Sequence, residues 1–228
     1  MSTLKECIIW LRRNFGSKID AATKGTPFSQ NMIIAIAMQE TSYLWRRLID
    51  KKEVNEVLTL CVGDVIDAPR RKAFPVSRKA LERVPDGKEM FKVARKALEA
   101  IAKIDKSYAL AAKNPNKFCH GFGLFQYDLQ FFRTDKKYFL TKRWATFEGT
   151  LDKCISELKV KLKRVYGANK KTLTHEESVY VAIAYNKGNV NTSKGFKQGY
   201  KGSDDRYYGE NIDRFLKLAE RTTIWRQS

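Results

Sequence analysis

The sequence places one carboxylate where carboxylates are rare. Along residues 29–42 the apolar side chains Ile33, Ile36 and Ala37 recur at helical spacing, and the next position on that stripe is Glu40. A carboxyl drawn out of water favours its neutral form, so a glutamic acid here would hold a proton near neutral pH. That is the requirement for a general acid. The alternative is a glutamate at the edge of the core, its oxygens met by a neighbouring lysine, arginine or backbone amide.

Two further stretches carry chemistry. In residues 119–128, Gly121 and Gly123 permit unusual backbone angles and close approach of a ligand, while Phe122, Leu124 and Tyr127 supply apolar and aromatic anchors. A plain hairpin accounts for the same pattern. Residues 178–186 are apolar almost all round and end in Tyr185 and Asn186, followed by Lys187-Gly188-Asn189. Such a helix is buried, and its polar end either reaches a site or caps backbone groups.

The elements that hold these stretches are mostly helices. Leu4, Ile8, Leu11 and Phe15 share one face of a first helix that should close at Gly16. Thr26-Pro27-Phe28-Ser29 is a start signal, and the helix carrying Glu40 should run to about Arg46. From 47 to 116 the chain turns charged and helical, with Pro69, Pro75 and Pro85 as breaks. Residues 86–113 read as one long amphipathic helix, ended by Asn114-Pro115-Asn116, with its lysines and arginines on a solvated face. Residues 146–166 form the clearest helix of the second half, stopped by Gly167. Thr174 and Glu177 form a capping box that opens the buried helix. A Gly, Lys and Tyr-rich loop over 191–208 suits a groove rim, and residues 210–222 make the last helix.

Composition narrows the classes. A chain of 228 residues with 43% hydrophobic side chains can bury a core without disulfide staples. Its formal net charge of +19 points to a polyanionic partner: nucleic acid, anionic lipid or an acidic cell-wall polymer. Cys7, Cys61, Cys119 and Cys154 lie far apart, as free thiols or two bridges, and with only His120 and His175 no metal site is expected. The first residues include Glu6 and the pair Arg12-Arg13, unlike a standard signal peptide, and no apolar run reaches membrane-spanning length.

In order and chemistry, Glu40-Thr41-Ser42, the turn Gly121-Phe122-Gly123-Leu124-Phe125-Gln126-Tyr127-Asp128 and the helix end Ala184-Tyr185-Asn186 resemble the lysozyme-like superfamily. The similarity is greatest to goose-type lysozymes and soluble lytic transglycosylases. The goose-type turn reads Gly-Phe-Gly-Leu-Met-Gln-Val-Asp, from which only Phe125 and Tyr127 depart. Gly149-Thr150 and Asp204-Asp205 before Tyr207 are also similar to goose-type sequences. The likeness covers residues 29–42 and 117 to about 218, not the stretch between.

The resemblance implies a mainly α (α+β) lysozyme-like domain: a helical bundle around a buried central helix, a small hairpin at a groove, and a helical insert at about 47–116. It implies Glu40 as the general acid on a β-1,4-linked amino-sugar chain and Asp128 as the base that positions water. Ser42, Gly123, Gln126, Tyr127, Tyr185 and Asn186 would line the sugar groove. The family's other water-positioning aspartate should fall where this chain has Lys117. Without a working base the outcome would be transglycosylation to an anhydro end, and Asp105 is the substitute the intervening stretch offers.

The expected function is therefore cleavage of peptidoglycan, with hydrolysis preferred over transglycosylation, by a monomer that uses no cofactor. Expected partners are the glycan chains of the wall and an immunity or inhibitor protein. Chitin or chitosan cleavage is the first rival. The second is a basic nucleic-acid binder, disfavoured because the positive residues are spread and no nucleic-acid motif is present. A wall-cutting enzyme without an export signal suggests a phage product or an effector delivered by a secretion apparatus.

Overall fold

Thr3 opens the first helix with a capping box: its hydroxyl accepts from the Glu6 amide and the Glu6 carboxylate accepts from the Thr3 amide. In the computed structural model, which describes residues 1–65, 71–202 and 204–222, this helix (α1, Leu4–Thr23) runs straight through Gly16. The expected stop there does not occur. Gly16 sits on the buried face, and its carbonyl accepts from Gln30 Nε2 at 3.2 Å. Pro69, expected as a break, lies outside the described residues.

Among the described residues the chain is mainly helical with one small antiparallel sheet, and it divides into two compact units. The first comprises Met1–Ser42 and Leu151–Ser228, the second Tyr43–Thr150. The second unit thus groups the charged 47–116 stretch together with the glycine turn. No helix among the described residues is long and apolar enough to cross a membrane.

The first unit is built on α1, most of α2 (Gln30–Trp45), α8 from Leu151 onward (Phe147–Tyr166), α9 (His175–Lys187) and α10 (Tyr208–Arg221). Ser29 caps α2 by accepting from the Met32 amide at 3.1 Å, as its sequence promised. Met32 through Met38 are all buried, so this helix is enclosed on every side. Arg12 of α1 ties three elements by donating to Gln30, Asn31 and the Ala219 carbonyl. Thr174 and Glu177 form the expected box, residues 178–184 are buried, and Gly188 at φ +89° ends α9. Gly167, at φ +84°, stops α8 where expected.

His175, at the first position of α9, joins that helix to α10. Its Nε2 lies 2.7 Å from Asp213 and its Nδ1 3.2 Å from Glu220. Burial works to lower its pKa, but the two carboxylates outweigh that and hold it above the ordinary 6.5. The doubly bonded imidazolium is therefore complete below about pH 6.5 and is lost as pH climbs through the raised value. Lys217, also bonded to Asp213, moderates the effect. His175→Gln should erase a stabilisation at pH 6 relative to pH 8.5 of about 2 °C in Tm, read by thermal melts at both pH values.

In the second unit β1 (Val62–Val65), β2 (Cys119–Phe122) and β3 (Tyr127–Asp128) form the sheet in that order, with Gly63 opposite Gly121 and Gly121 opposite Asp128. Helices α3 (Val54–Thr59), α4 (Arg78–Glu82), α5 (Gly87–Ala102), α6 (Lys106–Ala112) and α7 (Lys136–Leu140) accompany it. The long helix expected over 86–113 is broken. Asp105 leaves helical geometry and accepts from the amides of Ser107 and Tyr108, so it ends one helix and caps the next. The core gathers Met90, Leu98 and Ile101 of α5 against Phe118, Phe122 and the aromatic residues after the turn. All four cysteines are buried free thiols.

Candidate active site

Glu40 lies in the last turns of α2, half-buried, where the enclosed apolar helix meets a polar cluster. Its Oε1 accepts a 2.7 Å hydrogen bond from the hydroxyl of Tyr208, the first residue of α10, which is 2% exposed. Burial, and after it the charge of Glu40, drives the Tyr208 hydroxyl well above its ordinary pKa, so it remains a proton donor. Cys154 of α8 is fully buried beside them, and its thiol is pushed well up by burial and then by Glu40. The Tyr185 hydroxyl of α9 hydrogen-bonds that sulfur. Four helices thus deliver one carboxylate and three protonable groups to a single place within the first unit.

The backbone that seats Tyr208 is tightly specified. A methyl on Gly209 would come within 2.5 Å of the Phe196 carbonyl oxygen and 2.6 Å of Ile183 Cδ1, so only glycine lets α10 start here. Gly199, at φ +87°, passes so near that a methyl there would lie 2.6 Å from Tyr208 Cβ and 3.0 Å from Asn186 Oδ1. Asn186 is exposed and accepts from the Tyr200 amide at 3.4 Å. Of the two readings of the helix end, Tyr185 therefore joins the Glu40 cluster and Asn186 holds a loop. Ser42 is buried in the closing turn of α2.

The other expected site residues belong to the second unit, each with a local task. Gly123 adopts φ +84°, donates its amide to the Cys61 carbonyl, and leaves room for Thr150 Oγ1, which a methyl would strike. Gln126, itself at φ +52°, lays its carboxamide over Gly63 and Gly121 and donates from Nε2 to the Gly123 carbonyl at 2.8 Å. Tyr127 corrects the expectation of a sugar contact. It is buried, with its ring stacked on Phe131 at 4.7 Å and packed against Tyr138 and Phe139, so it is a core aromatic.

Asp128 also departs from expectation. Arg71 donates Nη2 to its Oδ1 at 2.6 Å and Nη1 to its Oδ2 at 3.1 Å, His120 Nδ1 lies 2.8 Å from Oδ2, and Oδ1 accepts from the Gln130 amide. Burial alone would raise its pKa, but His120 and Arg71 more than reverse this and hold it below the ordinary value. A carboxylate so held is a weak base with its lone pairs occupied, which counts against the expected base role. Arg71, bonded also to the carbonyls of Phe74 and Pro75, makes Asp128 the anchor of residues 71–75. Asp105 is committed likewise, through its capping bonds and a 2.8 Å ion pair with Arg47.

Compared with family models, curated proteins and solved structures, the chain matches none. Sequence reasoning missed Tyr208, the group that holds Glu40, having started the last helix at Glu210. Glu210 itself carried the signal: its carboxylate accepts from the Tyr207 amide, which makes Tyr207 the cap and Tyr208 the first helical residue.

Proposed function

We propose that this chain is a glycan-cleaving enzyme of lysozyme type, acting on the β-1,4 linkage of peptidoglycan with Glu40 as general acid. The observation that carries this reading is the half-buried carboxylate at the end of an enclosed apolar helix, its oxygen fixed by the buried Tyr208 hydroxyl. Glycoside cleavage needs a positioned carboxyl that donates to the leaving oxygen as positive charge develops on the sugar ring. The ordered resemblance of the three motifs to goose-type lysozymes supports the same assignment. The net charge of +19 supports an anionic wall as substrate, since it concentrates the protein there at low salt.

The engagement of Asp128 favours a second outcome of the same chemistry. Hydrolysis with inversion uses a carboxylate that activates water, and Asp128 is bound on both oxygens. Transglycosylation, in which a hydroxyl of the sugar itself attacks, dispenses with that water. Digestion of purified peptidoglycan followed by mass analysis separates the two. Reducing-end fragments report hydrolysis, and fragments lighter by one water report transglycosylation. Release of no fragments by the folded wild-type protein would defeat both. Chitin assayed beside peptidoglycan tests the choice of polymer.

A further inference from the structure

Where the end of α8 meets the loop that follows α9, a pocket of about 470 Å³ is lined by Arg164, Val165, Asn189, Val190, Asn191 and Thr192. All six residues belong to the first unit. Arg164 stands ten positions beyond Cys154 on α8, about 15 Å along the helix axis, and the pocket shares no residue with the Glu40 cluster. Its volume falls within the range of small-ligand sites.

The shape of the loop is fixed from within. Gln198 is 3% exposed, and its carboxamide accepts from the Asn191 amide at 2.9 Å while donating to the Asn191 and Gly195 carbonyls. The Tyr180 hydroxyl, 2.9 Å from Glu176 Oε1, also holds the Thr192 carbonyl at 3.1 Å. Because the Asn191 carbonyl turns inward to Gln198, the Thr192 N–H at the opposite edge of the same trans peptide turns outward. Neither that amide nor the Val190 amide finds an acceptor among the described residues.

The pocket wall is rich in donors and bare of acid. Arg164 donates one of its five N–H groups to the Gly188 carbonyl and pairs with no carboxylate among the described residues. Asn191 Oδ1 accepts from the amide and the hydroxyl of Ser193, which leaves Nδ2 as the free end of that side chain. Lys187 and Lys194, close by in sequence, are exposed and make no ion pair among the described residues. A guanidinium with unspent backbone amides is suited to an oxyanion. Val165 and Val190 narrow the choice. An apolar wall beside the anion suits a carboxylate whose neighbouring carbon carries a small alkyl group, as at the end of a peptide, whereas a phosphate ester is flanked by further oxygens. We infer that Arg164, Val165 and residues 190–192 bind the C-terminal carboxylate of a peptide ending in a small apolar residue. This site goes beyond cleavage at Glu40 and does not depend on it.

The test is a nuclear magnetic resonance titration of the full-length, nitrogen-15-labelled protein with N-acetyl-D-Ala-D-Ala, with its L,L enantiomer, with the C-terminal amide of each, and with inorganic phosphate. A free-acid dipeptide should shift the Val190 and Thr192 amide signals saturably, and the amidated forms should not. Arg164 is exposed, so its variants should keep the fold, which unmoved signals elsewhere would verify. Arg164→Gln should weaken binding by about tenfold or more, the value of one hydrogen bond to a charged group. Arg164→Lys keeps the charge but loses the planar fork, and it too should weaken binding. Preference for the D,D acid upholds the site and assigns it to wall peptides; preference for the L,L acid upholds it and assigns it to ordinary protein C-termini. Equal binding of acid and amide, phosphate binding as tightly as either acid, or full affinity in Arg164→Lys, the mark of general attraction to a positive surface, overturns it. Cleavage of glycan by the wild type stands or falls separately in the digestion assay.

Discussion

Glutamine at position 40 is expected to cut the rate of wall cleavage by about a thousandfold, the range seen when a general acid is removed, while Tm moves by no more than about a degree. The side chains are nearly isosteric, and a carboxamide oxygen still accepts from the Tyr208 hydroxyl, so the hydrogen bond that orients the group survives. What disappears is the transferable proton. The companion variant is Tyr208→Phe, which keeps the proton and removes the 2.7 Å bond. Its rate should fall by about tenfold, roughly the 1.4 kcal/mol at the upper end of what one neutral hydrogen bond carries, and its pH–rate profile should change in shape. A Tyr208 that served only to pack α10 would lower the yield of folded protein and leave that profile unaltered. Retention of full activity by folded Glu40→Gln would remove the carboxylate from the chemistry altogether.

The parts of the fold that the sequence made legible are those specified within a few residues. Ser29 caps α2, Thr174 and Glu177 open α9, and Gly167 stops α8, because a cap and its partner amide are neighbours in the chain. The parts that were obscure depend on partners far away. Gly16 reads as a stop, yet it lies inside α1 on the buried face, where Gln30, 14 positions on, donates to its carbonyl. The apolar spacing over 86–113 is unbroken, and nothing local reveals that Asp105 will turn the chain and bind Arg47, 58 positions earlier. Strand β1 has four residues and a glycine in its middle; only pairing with β2 makes it a strand. The site divides the same way. Glu40 was visible from the helix that carries it, whereas Tyr208 and Arg71 acquire their roles from residues 168 and 57 positions distant.

Asp128 offers the sharpest separation of a structural from a catalytic carboxylate. Asp128→Ala should lower stability by about 2–3 kcal/mol, somewhat under the cost of leaving a fully buried cation unpaired, because Arg71 is 13% and Asp128 21% exposed. The loss has a defined pH dependence. A carboxylate whose folded pKa is depressed contributes stability above its unfolded pKa, and the contribution fades as pH falls through the folded value. Wild type and variant should therefore differ fully at pH 7 and converge below about pH 4, the ordinary carboxylate range, as denaturant melts along a pH series would show. Activity decides the rest. If Asp128 is the anchor that Arg71, His120 and the Gln130 amide describe, cleavage per folded molecule in the cold should survive within about tenfold once the stability loss is discounted. If it activates water, the rate of hydrolysis should drop by about a hundredfold or more with no change in the balance of folded protein. Arg71→Ala sharpens the comparison: it leaves the carboxylate in place, frees two of its bonds, and should reproduce the instability of Asp128→Ala without touching any group that meets the sugar.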